Sequence, residues 1–156
     1  MVLGFQDGVG TDYESYFKSF SDAFDAERYY RAREHGFYWI VSFVNSVHSD
    51  GRAGFLYVAV AQALLFFVFV YRLKFTKVYL LMFSFYFVST AFVNQMNIVR
   101  QFISVYLFAI SAEFIYKRRI IPFTSAIIAA ALFHRSSIFL LPFYFLFNIK
   151  AFKNTH

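Results

Sequence analysis

Residues 54–71 read GFLYVAVAQALLFFVFVY, 18 consecutive positions without a charged side chain. At 1.5 Å of rise per residue such a run makes a helix of about 27 Å, which crosses a hydrocarbon core of about 30 Å with modest thinning. The stretch therefore predicts a transmembrane helix. Downstream, residues 78–93 form a second apolar run, and residues 97–116 a third that is apolar except for Arg100, Gln101 and Glu113. Residues 120–133 and 136–149 are two shorter runs, with Pro122 near the start of the first, where a helix tolerates it. Upstream, residues 1–53 are mixed polar and aromatic and contain every acidic residue except Glu113.

Composition agrees with a lipid environment. The 156 residues are 60% hydrophobic and 24% aromatic, against roughly 45–50% apolar residues in a soluble domain. The expected fold is an all-α membrane protein: about five membrane-embedded helices, the last two a short hairpin, preceded by external interfacial amphipathic helices. The expected division is an external aromatic segment over 1–53, a helical bundle over 54–149 and a basic tail over 150–156. A net charge of +6 would suit nucleic acid only if Lys and Arg shared one solvated face. Here they punctuate apolar runs, so nucleic acid is excluded as the partner. The absence of cysteine excludes disulfides, thiol nucleophiles and Cys-based metal sites.

Charge also predicts orientation. The breaks hold Arg72, Lys74 and Lys77, then Lys117, Arg118 and Arg119, then Lys150 and Lys153, with no acid among them. An excess of Lys and Arg in short loops marks the cytoplasmic side. Residues 1–53, residues 94–101 and the tip His134-Arg135-Ser136-Ser137 must then share the external side. Three separated polar segments converge there, where a polar cavity is expected. Arg100 and His134 are expected to approach in that one cavity, with Asp12 at its border.

Depth sharpens the reading of the tip. A 14-residue helix reaches only about 21 Å, so His134 and Arg135 are expected below the outer surface. Ionisable groups at depth are costly unless paired or wetted, and so mark functional sites. The plainer alternative is a hairpin in a thinned bilayer, with Arg135 snorkelling to headgroups. On the third run, Asn94, Asn97, Arg100, Gln101 and Ser104 recur at helical spacing and predict one polar stripe. Such a stripe either lines a site or joins helices by hydrogen bonds. Arg100 stands out because its guanidinium is a fork of donors suited to phosphate oxygens. Glu113 and Lys117 read as an i,i+4 pair.

In the N-terminal segment, Thr11-Asp12-Tyr13-Glu14 fits a capping box, and Tyr13, Tyr16, Phe17, Phe20 and Phe24 follow with helical spacing. This predicts an amphipathic helix lying on the membrane. The aromatic group Tyr29, Tyr30, Phe37, Tyr38 and Trp39 suits either an interface belt or stacking on sugar rings.

Gly8-Val9-Gly10-Thr11-Asp12-Tyr13 followed by Tyr16 resembles the "GtDY..Y" signature of EpsG-like, Wzy-type polysaccharide polymerases. Asn97-Ile98-Val99-Arg100-Gln101 resembles their "N..RQ" helix start. Ala131-Leu132-Phe133-His134-Arg135-Ser136-Ser137, running into Leu141-Pro142, resembles their "fH.S…lP" hairpin. The resemblance covers nearly the whole chain, and the three fragments stand in the family's order and spacing.

The resemblance implies an enzyme of the bacterial inner membrane that joins oligosaccharide repeat units carried on polyprenyl diphosphate at the outer face. It implies no nucleotide-sugar donor and no cofactor, and the sequence shows no Asp-x-Asp pair or metal-ligand spacing. By resemblance, Arg100 and Arg135 would bind the diphosphate, His134 would be general base or phosphate ligand, and Asp12 would shape the acceptor side or serve as the competing base. Tyr13, Tyr16, Asn97 and Gln101 would contact substrate. Partners would be the lipid-linked oligosaccharide, the bilayer and other export or chain-length proteins. Members of the family carry a helix before the "GtDY" segment, an Arg where Gln6 stands and further spans after the hairpin, so the chain is expected to be about half of a full member. A transporter or flippase for an anionic lipid-linked substrate and a non-catalytic scaffold are the other functions compatible with the sequence.

Overall fold

The computed structural model describes residues 5, 7, 8, 10–72, 94 and 97–148. Among these the protein is all helix, without strands. Three short helices, α1 (Tyr13–Ser21), α2 (Ala23–Arg31) and α3 (His35–Val47), precede the long α4 (Arg52–Arg72). Then come α5 (Val99–Tyr116), α6 (Ile120–Phe133), a 3-10 helix (Arg135–Leu140) and α7 (Pro142–Asn148). The second apolar run, the cations Lys74 and Lys77, the basic tail and Gln6 lie outside the described residues.

Two helices, α4 and α5, are long and apolar enough to span a membrane. What decides for lipid is where their apolar surface points. Only 28% of the most apolar window of α4 and 33% of that of α5 is buried inside the protein, whereas the core helix of a soluble protein would be mostly enclosed. Leu56, Val60, Leu64, Phe67 and Val68 on α4 face outward. This is the surface pattern of helices that face lipid. The α6 helix keeps the expected bounds 120–133 and lies against α5, tied by the Ser104 hydroxyl, which donates to the Ala130 carbonyl at 2.8 Å. Gln62 of α4 donates to the Val99 carbonyl at 2.9 Å. These are the interhelical polar ties that a bilayer interior favours.

Two elements depart from the sequence reading. The run 136–149 is not one helix: a 3-10 helix gives way to α7 at Pro142. Proline has no N–H to continue an i to i−4 ladder, so the helix has to restart there, with proline at the first helical position. The polar stripe of the third run is likewise broken, because Ile98, with φ −105° and ψ 56°, caps α5 outside helical geometry. Asn94 and Asn97 precede α5, while Arg100, Gln101 and Ser104 share it.

The N-terminal segment is core rather than membrane veneer. Tyr13, Tyr16 and Phe20 of α1 and Tyr29 of α2 are buried in one cluster with Phe37, Val41 and Val44 of α3, Phe55 and Val58 of α4, and Val99 and Ile103 of α5. Of the expected amphipathic face, Phe24 is left 76% exposed, and so is Trp39 at 65% among the later aromatics. Protein covers this face because glycines let the helices close on one another. A Cβ at Gly54 would overlap the Phe20 ring, and one at Gly36 would press on Leu132 and Phe133. The capping box does not form either. Asp12, not Thr11, caps α1, and its side chain makes no cap hydrogen bond. The entering chain is bent at Gly10, φ +98°, which runs against the Asn97 side chain with no space for a Cβ.

The bundle has two chemically distinct ends. At one, Arg72 closes α4 and pairs with Glu113 at 3.3 Å, while Lys117 also holds Glu113. There α5 ends in a Schellman turn, with Arg118 left-handed at φ 54° and Arg119 N–H donating to the Phe114 carbonyl. The start of α5 and the end of α6 make the opposite end, about 27 Å away along α5. Because the protein has no native cysteine, single cysteines give a clean topology map. Positions 75, 118 and 152 should be labelled only from the cytoplasm, and positions near 48 and 97 from outside. Labelling of position 118 by an impermeant reagent in intact cells would overturn the assignment.

Candidate functional site

A buried carboxylate organises the end opposite the basic breaks. The α2 helix finishes in a Schellman turn: Arg33 is left-handed at φ 62°, its N–H donates to the Tyr30 carbonyl at 3.0 Å, and Glu34 N–H donates to the Tyr29 carbonyl at 2.9 Å. The residue after the left-handed position is commonly apolar and packs back on the helix. Here it is Glu34, only 5% exposed. Two residues on, Gly36 lets α3 meet the last turn of α6 at Leu132 and Phe133, which delivers Glu34 to His134. The Glu34 carboxylate then has three partners. Oε2 pairs with Arg100, while Oε1 accepts from the Arg135 N–H at 3.2 Å and stands 3.4 Å from His134 Nδ1. A buried acid is tolerable only when so compensated.

On one side of Glu34 lies a polar cleft of about 360 Å³, lined by Asp12, Ser15, Tyr16, Arg28, Tyr29 and Arg100. Arg100 Nε donates to the Tyr16 hydroxyl at 3.4 Å, and its remaining donors have no partner among the described residues. Both guanidinium groups rest on the Tyr29 ring, Arg28 at 4.7 Å and Arg100 at 5.2 Å from its centroid, an attraction that holds cations over an aromatic face. Arg28 is fixed by the Ser15 carbonyl at 2.8 Å, Ser19 at 2.6 Å and the Tyr29 hydroxyl at 2.7 Å. Burial raises the Tyr16 phenol above its ordinary pKa, opposed in part by Arg100. Its hydroxyl therefore stays protonated at neutral pH. Arg28 is also paired with Asp25 at 3.6 Å, so of the two guanidinium groups Arg100, once released from Glu34, is the one with donors left for an anion.

On the other side is a second cleft of about 230 Å³, lined by Gln101, Ser104, Val105, His134, Ser136 and Ser137 among others. His134 caps α6 in extended conformation, φ −147° and ψ 106°, which turns the imidazole out of the helix. Its Nδ1 is buried and makes no aligned hydrogen bond among the described residues, despite the 3.4 Å approach to Glu34. Its walls are mostly apolar, with Val105, Phe108 and Leu140 around a few polar points at Gln101, His134 and Ser136, so it suits a neutral group with some hydrogen-bonding capacity rather than an anion.

The residues expected to form the site are thus divided. Arg100, Asp12 and Tyr16 border the first cleft, His134 and Gln101 the second, and Glu34 bridges them where one cavity was expected. Arg135 contributes its backbone N–H, with its side chain exposed. Tyr13 borders neither cleft: it is 5% exposed, stacked on Phe55 at 4.9 Å and donating to Asp7 at 3.0 Å. Asn97 buttresses the Gly10 turn, and its Oδ1 is buried without a hydrogen-bond partner among the described residues. Tyr29 and Phe37 are core and not free to stack on a sugar. Sequence reasoning missed Glu34 and Arg28, and it read Tyr29 as an interface or sugar-stacking aromatic where the ring instead lies under two guanidinium groups. The only signal for Glu34 was an acid immediately ahead of a glycine-containing helix start, Glu34-His35-Gly36. Among the described residues no group of His, Asp and Glu converges as metal ligands do.

A family model described as the EpsG family matches residues 1–155. No curated protein and no solved structure matches the chain. A match over nearly the whole sequence, joined to an apolar bundle with lipid-facing helices, means that the chain belongs to the EpsG family, membrane proteins of polysaccharide biosynthesis.

Proposed function

We propose that the protein serves glycosyl transfer between polyprenyl-diphosphate-linked oligosaccharides at the outer face of the bacterial inner membrane, extending a polysaccharide by one repeat unit at a time. The observation that carries this reading is the pair of clefts with opposite chemistry, cationic at Arg100 and Arg28 and hydrogen-bonding at His134, joined through one carboxylate. In such a transfer an acceptor hydroxyl attacks the anomeric carbon of the donor sugar. The bond from that carbon to the diphosphate oxygen breaks, and the electron pair leaves with the lipid diphosphate. The acceptor proton passes to a base. Fixed guanidinium groups stabilise the charge that grows on the departing diphosphate. An imidazole, with an ordinary pKa near about 6.5, takes a hydroxyl proton near neutral pH. The N-terminal segment is external in this reading, and glycan export and chain-length proteins are the expected partners.

A scaffold without catalysis is the second reading, and one observation favours it: Arg100 and His134 both have an internal partner in Glu34. The test is the glycan size ladder from cells complemented with the gene carrying single changes, at matched membrane levels. His134→Gln keeps hydrogen bonding and removes basicity, so it should cut polymer by about a hundredfold or more, the usual worth of a general base. Near-normal polymer from His134→Gln together with loss in Asp12→Asn would move the base to Asp12. Normal polymer from both would favour the scaffold.

A further inference from the structure

Glu34 holds two groups that the transfer reaction would use, on separate oxygens, and neither arrangement is the one those groups need while working. Arg100 is neutralised by Glu34 Oε2, although its task is to face a diphosphate. His134 Nδ1 stands 3.4 Å from Oε1 without an aligned hydrogen bond, although a base needs a fixed orientation. The carboxylate is anchored by the Arg135 N–H at 3.2 Å, so it can turn about that point without leaving the site. Building on the function proposed above, we propose that Glu34 is a positioning residue coupling the two clefts: an incoming diphosphate displaces it from Arg100, and the released carboxylate then seats the imidazole of His134 for acceptor deprotonation.

The physical basis is a competition between anions. A diphosphate offers a guanidinium more charge and more acceptor oxygens than one carboxylate does. Arg28 borders the same cleft and, though paired with Asp25 at 3.6 Å, adds a second guanidinium to its wall. Once Arg100 turns to the diphosphate, Glu34 is left buried with only the Arg135 N–H, and the nearest donor able to relieve it is His134 Nδ1–H. A carboxylate on Nδ1 fixes the tautomer and directs the other ring nitrogen outward, here toward the cleft of Gln101 and Ser136. No bond is made or broken in this step. The consequence is order: the acceptor side becomes competent only after the donor diphosphate is seated, which protects the lipid-linked donor from hydrolysis by stray water.

The test uses the full protein in nanodiscs, with farnesyl diphosphate as the probe and farnesol as the control that lacks the charged head. Glu34→Gln removes the competing charge, so it should bind farnesyl diphosphate about tenfold more tightly than the unaltered protein. In cells the same variant should lose most long-chain polymer, and adding it to His134→Gln should cost little more, because both act through one imidazole. A merely structural Glu34 predicts the opposite sign for binding. If Glu34→Gln weakens the probe as Arg100→Ala does, the coupling is wrong while the diphosphate site stands. If the probe fails to bind the unaltered protein, or Arg100→Ala leaves its binding unchanged, the diphosphate reading falls and the coupling with it. Should Glu34→Gln fail to accumulate, Glu34→Asp keeps the charge but shortens the reach to Arg100, and it should show tighter probe binding with reduced polymer.

Discussion

Arg100→Ala is expected to abolish long-chain polysaccharide, and Arg100→Lys to leave a membrane-stable protein that makes about a hundredfold less. The two changes separate structure from chemistry. Alanine strips Glu34 of its strongest partner, and an uncompensated buried charge costs about 3–5 kcal/mol, so the alanine variant should also melt earlier and accumulate less. Lysine keeps a cation for Glu34, which is only 5% exposed, and should preserve most of that stability. It cannot reproduce the planar fork that reaches Glu34 and the Tyr16 hydroxyl together. Removing one fixed donor aimed at developing charge costs about a hundred- to a thousandfold in rate, and this loss should remain in Arg100→Lys. The measurements are the glycan size ladder and a thermal melt of the same preparation. Normal ladders from both variants would leave the scaffold as the better account.

Gly54→Ala should produce the largest loss of stability of any single methyl addition at a described glycine that sits in a helix. Its Cβ would lie 2.1 Å from Phe20 Cγ and 2.4 Å from both Cδ atoms, and Phe20 is wholly buried in the aromatic cluster that unites α1, α3 and α4. The ring has to leave its place. Overpacking of this kind costs about 3 kcal/mol, read as a fall in melting midpoint on the order of 10 °C. Gly36→Ala is the informative companion. Its Cβ would meet Phe133 and Leu132 atoms at 3.1 and 3.2 Å, a tight contact relieved by a few tenths of an ångström. Stability should fall by only about 1 kcal/mol, whereas polymer length should drop sharply, because the same shift moves Glu34 relative to His134. Equal melting of Gly54→Ala and the unaltered protein would show that α1 is not clamped on α4.

The membrane character and the two ends of the bundle were legible because they depend on local composition. The α4 and α6 helices follow uninterrupted apolar runs, and the cations Arg72, Lys117, Arg118 and Arg119 gather where short basic breaks predicted. Arg100 and His134 stood out as candidates for a related reason: a lone cation or imidazole inside an apolar run is conspicuous. The fate of the N-terminal aromatics was not. An amphipathic helix has the same periodicity whether its apolar face meets lipid or protein, and for Tyr13, Tyr16 and Phe20 the close approach allowed by Gly54 decided for protein. The break at Ile98 was also invisible, because the polar residues keep helical spacing across it.

The sequence by itself determined the solvent, the basic end of the bundle and which cation and imidazole are candidates, since each rests on charge and hydropathy within one segment. Only the tertiary structure decided that Arg100 and His134 serve separate clefts and that Glu34 connects them. Glu34 is one acid in a segment rich in acids, and nothing in its neighbours' hydropathy distinguishes it from Asp22 or Glu27. Its role follows from a left-handed Arg33 that turns it inward, a Gly36 that lets α3 close on α6, and an Arg100 arriving from a helix 66 positions away in sequence. A buried charge is defined by its partners, and when those partners come from α5 and from the junction after α6, no local pattern carries the information.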